Sequence, residues 1–302
     1  MTAKNLLMAL PGVAAVLLLY ACDVKDPIYE TDHPGYGKIT LTTDWSNRTS
    51  GVEVPASYTV KVGEYSATVS GSTNTINNQF APDTYRAYIY NTVDNIAVNG
   101  TTTTVASAAA PAGQTGAFVN NAPGWFFSSA LDAKIEADKH HEFIAVMRQQ
   151  VVELSFTVTP SGGTADKIES ITGVLGGVAG AMNIDNGERS ASSSVAMNFA
   201  KQPDGTWKAT VRLLGIVGDS QPLTTTVKFT GGNPGDVEDT TDIHDEIDDN
   251  FGDGGGPVDP GSGGSTPGDI DLGTEIVETP TETGFTATIK PWTKVTGSGI
   301  AD

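Results

Sequence analysis

The sequence predicts an all-β protein with two tandem β-sandwich domains, and three observations carry that prediction. The composition is rich in Gly, Thr, Ser and Val, with 35 glycines and only 18% charged residues, the profile of sandwich modules. Short stretches of alternating apolar and polar residues recur at roughly 8 to 12 residues, separated by turn residues. The 302-residue chain opens on an apolar leader, and its removal leaves about 280 residues, enough for two domains.

The leader comes first. Lys4 supplies a short positive region, and Leu6 to Tyr20 is apolar apart from Pro11 and Gly12. A run of about 15 residues is too short for a membrane span, which needs about 20. It ends in Leu19-Tyr20-Ala21-Cys22, with a small residue directly before cysteine and Leu three places before it. This is a lipobox, although Tyr20 is an unusual occupant, and it predicts a signal peptide over 1–21 and lipidation of Cys22. Cys22 is the only cysteine, so no internal disulfide can form. Two or three acyl chains, at about 0.8 kcal/mol per buried methylene, would hold the chain to a membrane permanently. Residues 22–35 are short, polar and turn-prone, and read as a tether.

The first sandwich is predicted over 36–148. Gly37 to Trp45 alternates, placing Ile39 and Leu41 on one face of a strand. Tyr58–Val62 and Tyr65–Val69 repeat the pattern around a Gly63-Glu64 hairpin turn. Phe80 to Asn91 is a turn feeding an aromatic-rich strand. Thr101 to Thr115 reads as loop, and Ser129 to Ala137 fits either a helical turn or a strand. Glu142 to Thr159 is too long for one strand, so a break is expected near Arg148-Gln149-Gln150.

The second sandwich is predicted over 149–302. Its strands are expected at 167–175, 176–184, 194–199, 207–214, 223–230 and 285–289. Between them, 231–272 is an acidic, glycine-rich insert holding twelve Asp and Glu and no Lys or Arg. Such composition argues for a solvated, disordered loop.

Function classes narrow next. A formal charge of −19 disfavours nucleic acid as a partner. Asp245 to Asn250 does not follow the EF-hand pattern. Adjacent His140 and His141 point to opposite faces of a strand, so no metal site is expected. Neither a G-x-S-x-G elbow nor a phosphate-binding loop occurs, so no enzyme and no cofactor is predicted. Trp45, Trp125, Trp207 and Trp292 suit sandwich cores, but an alternative reading exposes them for glycan stacking in a polysaccharide-uptake lipoprotein.

The order of elements carries a resemblance. A lipobox cysteine is followed by a strand ending Thr43-Asp44-Trp45, and then by the turn-strand unit Pro82 to Asn91. The block Val151 to Val158 leads into Ile168 to Gly180. Together these resemble the FimB-type fimbrial anchor and assembly subunits of Bacteroidales, the fimbrillin-associated lipoproteins, over roughly residues 19 to 230 and again at Phe285 to Trp292. The resemblance implies two transthyretin-like or immunoglobulin-like sandwiches, no catalysis, and a lipid-anchored place on the outer membrane, facing outward. It implies fimbrial subunits as partners, joined by β-strand addition. In major fimbrillins a protease trims after an arginine in the first domain, and Arg48 is the matching candidate. In this bacterial group Asp239-Thr240-Thr241 also fits an O-glycosylation pattern. The acidic insert departs from the family.

Overall fold

The computed structural model describes residues 35–163, 165–251, 256 and 270–295. The signal peptide, Cys22 and the tether up to Pro34 lie outside them.

Alternating segments become strands throughout. The first half of the chain contributes β1 (Lys38–Asp44), β2 (Tyr58–Val62), β3 (Tyr65–Val69), β4 (Thr73–Thr75), β5 (Asp83–Tyr90) and β6 (Ile96–Asn99). After these come β7 (Thr102–Val105), β8 (Ser107–Ala108), β9 (Phe118–Val119), β10 (Phe127–Ile135), β11 (His140–Val146) and β12 (Arg148–Gln149). The second half contributes β13 (Val152–Pro160), β14 (Ile168–Asn183), β15 (Arg189–Asn198), β16 (Ala200–Lys201) and β17 (Trp207–Leu213). It ends with β18 (Pro222–Phe229), β19 (Val237–Asp242), the four-residue α1 (His244–Ile247), β20 (Ile270–Thr281), β21 (Gly284–Ile289) and β22 (Thr293–Lys294).

The first sandwich packs the sheet β11-β1-β4 against the sheet β12-β10-β5-β2-β3. Its core joins Ile39 and Leu41 of β1, Val60 and Val62 of β2, Ile89 of β5, and Phe127 and Ile135 of β10. Trp45 closes this core edge-to-face on Tyr58 and Phe127. The second sandwich packs β16-β17-β13-β20-β21 against β19-β18-β14-β15-β9-β8. Leu154, Phe156 and Val158 of β13 are fully buried there, each side chain contributing about 1.5–3 kcal/mol by burial. Trp292 lies across this core against Phe156 and Phe199, and its indole N–H donates to Thr225.

Several local expectations change. Thr101 to Thr115 is not a plain loop, because β7 pairs with the end of β14 and β6 pairs with β7. This hairpin belongs to the first half of the sequence, yet it joins the second sandwich's sheet, where Val105 enters the core. Ser129 to Ala137 resolves as β10 up to Ile135, fixed by pairing with β5 along its length. The two strands expected at 167–175 and 176–184 are one 16-residue strand, β14, with a bulge between Leu175 and Val178. Gly177 stands in that bulge at φ +69, and a Cβ there would meet the Ser220 carbonyl oxygen.

The largest correction concerns the acidic insert. Val237–Asp242 is an edge strand on β18, and Ile243, Ile247 and Phe251 are buried in the second core. Ile270–Thr281 is an interior strand that pairs with β13 in parallel. Three apolar side chains dock the segment, and Glu238, Asp245 and Asp249 stay exposed. Residues 252–255 and 257–269 lie outside the described part.

Candidate functional site

The feature that stands out is the outer margin of the first sandwich. On β1 the inward residues Ile39, Leu41 and Thr43 are buried, and Lys38, Thr40 and Thr42 face outward. Lys38 N donates to Lys139 O, and Met147 N donates to Asp44 O, which fixes the parallel β1–β11 pairing. In a parallel ladder only alternate residues of each strand face the partner. On β11 these are His141, Phe143 and Ala145. The N–H and C=O groups of His140, Glu142, Ile144 and Val146 therefore point away from β1. Among the described residues no strand pairs with that side.

Two large apolar side chains mark the same strand. Ile144 is 69% exposed and Val146 is 40% exposed, two residues apart and so on one face. Beside them, Thr40 Oγ1 meets His140 Nε2 at 2.7 Å and Thr75 Oγ1 at 2.9 Å, and Thr42 meets Thr73 at 3.1 Å. An unpaired edge of seven residues that ends in two exposed apolar side chains is an exception among natural sheets, which usually protect such edges. A shallow groove of about 650 Å³ lies near one end, lined by Lys38, Thr75, Asn77, Asn78 and Gln79.

The junction between the sandwiches is polar and well bonded. Arg86 of β5 reaches the Asp185 turn of the second sandwich, and Arg212 stacks over the Trp125 ring at 5.3 Å. Arg189 is half-buried at this junction, where its guanidinium donates to Gly187 O, Gln150 Oε1 and Leu214 O. Among the described residues no carboxylate pairs with it. Desolvation alone draws its pKa down to about 10.

The residues singled out by sequence fall in separate places. Cys22 lies outside the described residues. Arg48 sits in the turn after β1, exposed, with its guanidinium donating to Trp45 O and Val52 O. His140 bonds Thr40, and His141 accepts from the Glu136 N–H on the opposite face. Among the described residues no group of three His, Cys, Asp or Glu converges as a metal site. Trp45, Trp207 and Trp292 are buried and Trp125 is half-buried, so none offers a free stacking face. Thr240 is exposed on β19 and bonds Thr224 at 2.9 Å. The resemblance implied strand addition, but sequence reasoning did not single out Ile144 and Val146. Their signal was available in the alternation His140-Glu142-Ile144-Val146, where the outward register turns apolar.

No protein-family model matches the chain, and no curated protein matches its sequence. Solved structures do. A candidate adhesin from Bacteroides ovatus is 15% identical and aligns over 89% of this chain and 97% of its own, with a TM-score of 0.56. A candidate polysaccharide-binding protein from Bacteroides thetaiotaomicron is 8% identical over 85% and 98%, with a TM-score of 0.54. The fimbrial anchor protein Mfa2 from Porphyromonas gingivalis is 11% identical over 85% and 98%, with a TM-score of 0.52. The chain therefore has the all-β, two-sandwich fold of Bacteroidales adhesin and fimbrial-anchor structures, and its structural neighbours include a fimbrial anchor.

Proposed function

We propose that this protein is a non-enzymatic surface lipoprotein acting as an anchor or accessory subunit of a fimbria, joined to neighbouring subunits by β-strand addition. The observation that carries the reading is the unpaired β11 edge, in a fold that a fimbrial anchor also uses. An open edge offers main-chain hydrogen bonds for affinity and alternate side-chain positions for specificity. Lipidation of Cys22 would fix the amino end to the outer membrane, with 22–35 as the tether. The role calls for no cofactor, metal or nucleic acid.

The glycan-stacking alternative rested on exposed tryptophans; Trp45, Trp207 and Trp292 are buried, which leaves it the half-buried Trp125, beside Arg212, and a fold shared with a candidate polysaccharide-binding protein. The test is made in the organism of origin, comparing wild type, a gene deletion and Cys22→Ala. Filaments on cells and in the medium are followed by electron microscopy and immunoblotting. Both changes are expected to release filaments or alter their length. Unchanged filaments in both strains would overturn the fimbrial reading.

A further inference from the structure

The two sandwiches are built alike at one place. In each, the opening strand pairs in parallel with a late strand: β1 with β11, and β13 with β20. Aligning the ladders sets Leu41–Phe143 against Phe156–Leu272, so Glu142, Ile144 and Val146 correspond to Asp271, Gly273 and Glu275. In the second sandwich the chain itself covers those positions. Val295 N donates to Asp271 O, and Lys290 N donates to Glu275 O, both at 2.9 Å. Thr293 lies opposite Gly273 in antiparallel register. Residues 290–295 are thus an intramolecular cover for the β20 edge, and β21 continues it. The first sandwich has the same edge and, among its described residues, no cover.

We infer that the outer edge of β11 accepts an antiparallel strand of about six residues from a neighbouring subunit, bonded to the backbone of Glu142, Ile144 and Val146. The inference rests on the strand-addition reading above and names its acceptor edge. Cross-strand pairing fixes the chemistry of the guest. It carries β-branched or aliphatic residues opposite Ile144 and Val146, and a basic or hydroxyl residue opposite Glu142. A second copy of β11 fits poorly. Antiparallel self-pairing centred on Glu142 opposes like charges, centring on Phe143 sets Glu142 against Ile144, and centring on Ile144 sets Glu142 against Val146. The core needs no aromatic from the guest, because Trp45 already fills it.

Other edges are weaker candidates. The β3 edge has no exposed large apolar residue, β4 is three residues long, β19 is acidic, and β21 has one such residue, Phe285, against the pair on β11.

Proline separates the edge from the fold. The Ile144 N–H points away from β1, so Ile144→Pro removes an outward donor, which edge strands tolerate. Phe143→Pro removes a donor facing β1 and serves as the folding control. The deletion strain is complemented with wild type, Ile144→Pro, or the double variant Ile144→Lys and Val146→Lys. Filaments are counted, and the purified mature chains are compared by thermal unfolding and amide exchange. Both edge variants are expected to unfold near the wild-type temperature and to lose at least about nine-tenths of the filament rescue. In the isolated wild-type chain, Glu142, Ile144 and Val146 amides should exchange fast, and Phe143 and Ala145 slowly.

Full rescue by a folded edge variant overturns the inference and leaves the fimbrial reading intact. Slow exchange at Ile144 in the monomer means that the chain covers its own edge, and also overturns it. A concentration-dependent dimer abolished by Ile144→Pro makes a second copy the occupant and likewise counts against it. A deletion with normal filaments fails the fimbrial reading itself. Should Ile144→Pro not fold, the lysine double variant, which leaves every backbone donor in place, decides the matter.

Discussion

Arg86 Nε donates to Asp185 Oδ1 at 2.6 Å, and Arg86 Nη2 donates to the Asp185 carbonyl oxygen at 3.1 Å. The same guanidinium holds Asp132 at 3.0 Å, so one side chain ties β5 and β10 of the first sandwich to the β14–β15 turn of the second. Its partners are partly solvated, which limits the energy but not the geometry. Arg86→Ala is expected to cost at most about 1 kcal/mol in urea unfolding. Its clearer effect is a wider distribution of inter-sandwich distances between spin labels at residues 68 and 226. An unchanged distribution would mean that the β6–β7 hairpin and the Arg212–Trp125 and Arg189–Gln150 contacts set the angle without Arg86.

Trp292 is 2% exposed, and it both fills the second core and anchors the segment covering β20. Trp292→Ala should cost about 3–5 kcal/mol, read as a lower denaturation midpoint. Faster amide exchange at Gly273 should accompany it, since the cover loses its anchor. Trp292→Phe keeps most of the packing but leaves Thr225 without its indole donor, so an intermediate loss is expected.

Asp242 gives the fold a defined response to acid. Burial works against its charge, but Ser220 Oγ and the backbone N–H groups of Gln221 and His244 donate to it. Together they hold its pKa below the ordinary value. A carboxyl whose folded pKa is depressed stabilises the fold above its unfolded pKa, about 3.9. That contribution is lost as pH falls through the lower folded value. Asp242→Asn should therefore be less stable than wild type near about pH 6, with the gap narrowing below about pH 4. A gap independent of pH would assign the loss to geometry rather than charge.

Gly177 makes the bulge of β14 possible. An alanine there would take a left-handed conformation, costing about 1–2 kcal/mol, and its Cβ would press on Ser220 O and the Gln221 side chain. Gly177→Ala is expected to destabilise the second sandwich by about 2 kcal/mol or more, measured by urea unfolding. Gly205→Ala, at a turn with open space around it, should cost about 1 kcal/mol.

The sequence was legible wherever a strand carries its own alternation up to a clear turn, whatever the distance to its partner. The Tyr58–Val62 and Tyr65–Val69 hairpin, β5 and β13 show two-residue alternation next to clear turn residues. β20 was not legible. Its partner β13 lies more than a hundred residues earlier and pairs in parallel. Ile270, Leu272 and Ile276 do alternate with Asp271, Gly273 and Glu275, but the acidic, glycine-rich residues before them argued for a loop. β7 escaped too: Thr102 to Val105 gains its order from β14, across the sandwich boundary. The β11 edge was partly legible. Alternation placed a strand there, but whether Ile144 and Val146 are covered depends on which strand lies beside them.

The β1–β11 ladder also has a direction, and direction matters once the chain is pulled. Tension entering at the amino end meets the bonds of Gly35, Tyr36 and Gly37 to Asp138 and Phe80, and then runs along the axis of β1, which is clamped between β11 and β4. The bonds to both neighbours lie across that axis, so they resist as a set in shear and do not open singly like a zipper. A guest strand on β11 would load the same ladder from its other side. Forced detachment is governed by an unfolding rate rather than by equilibrium stability. For a protein held at one end and loaded at the other, the orientation of β1 therefore counts for more than the total number of its contacts.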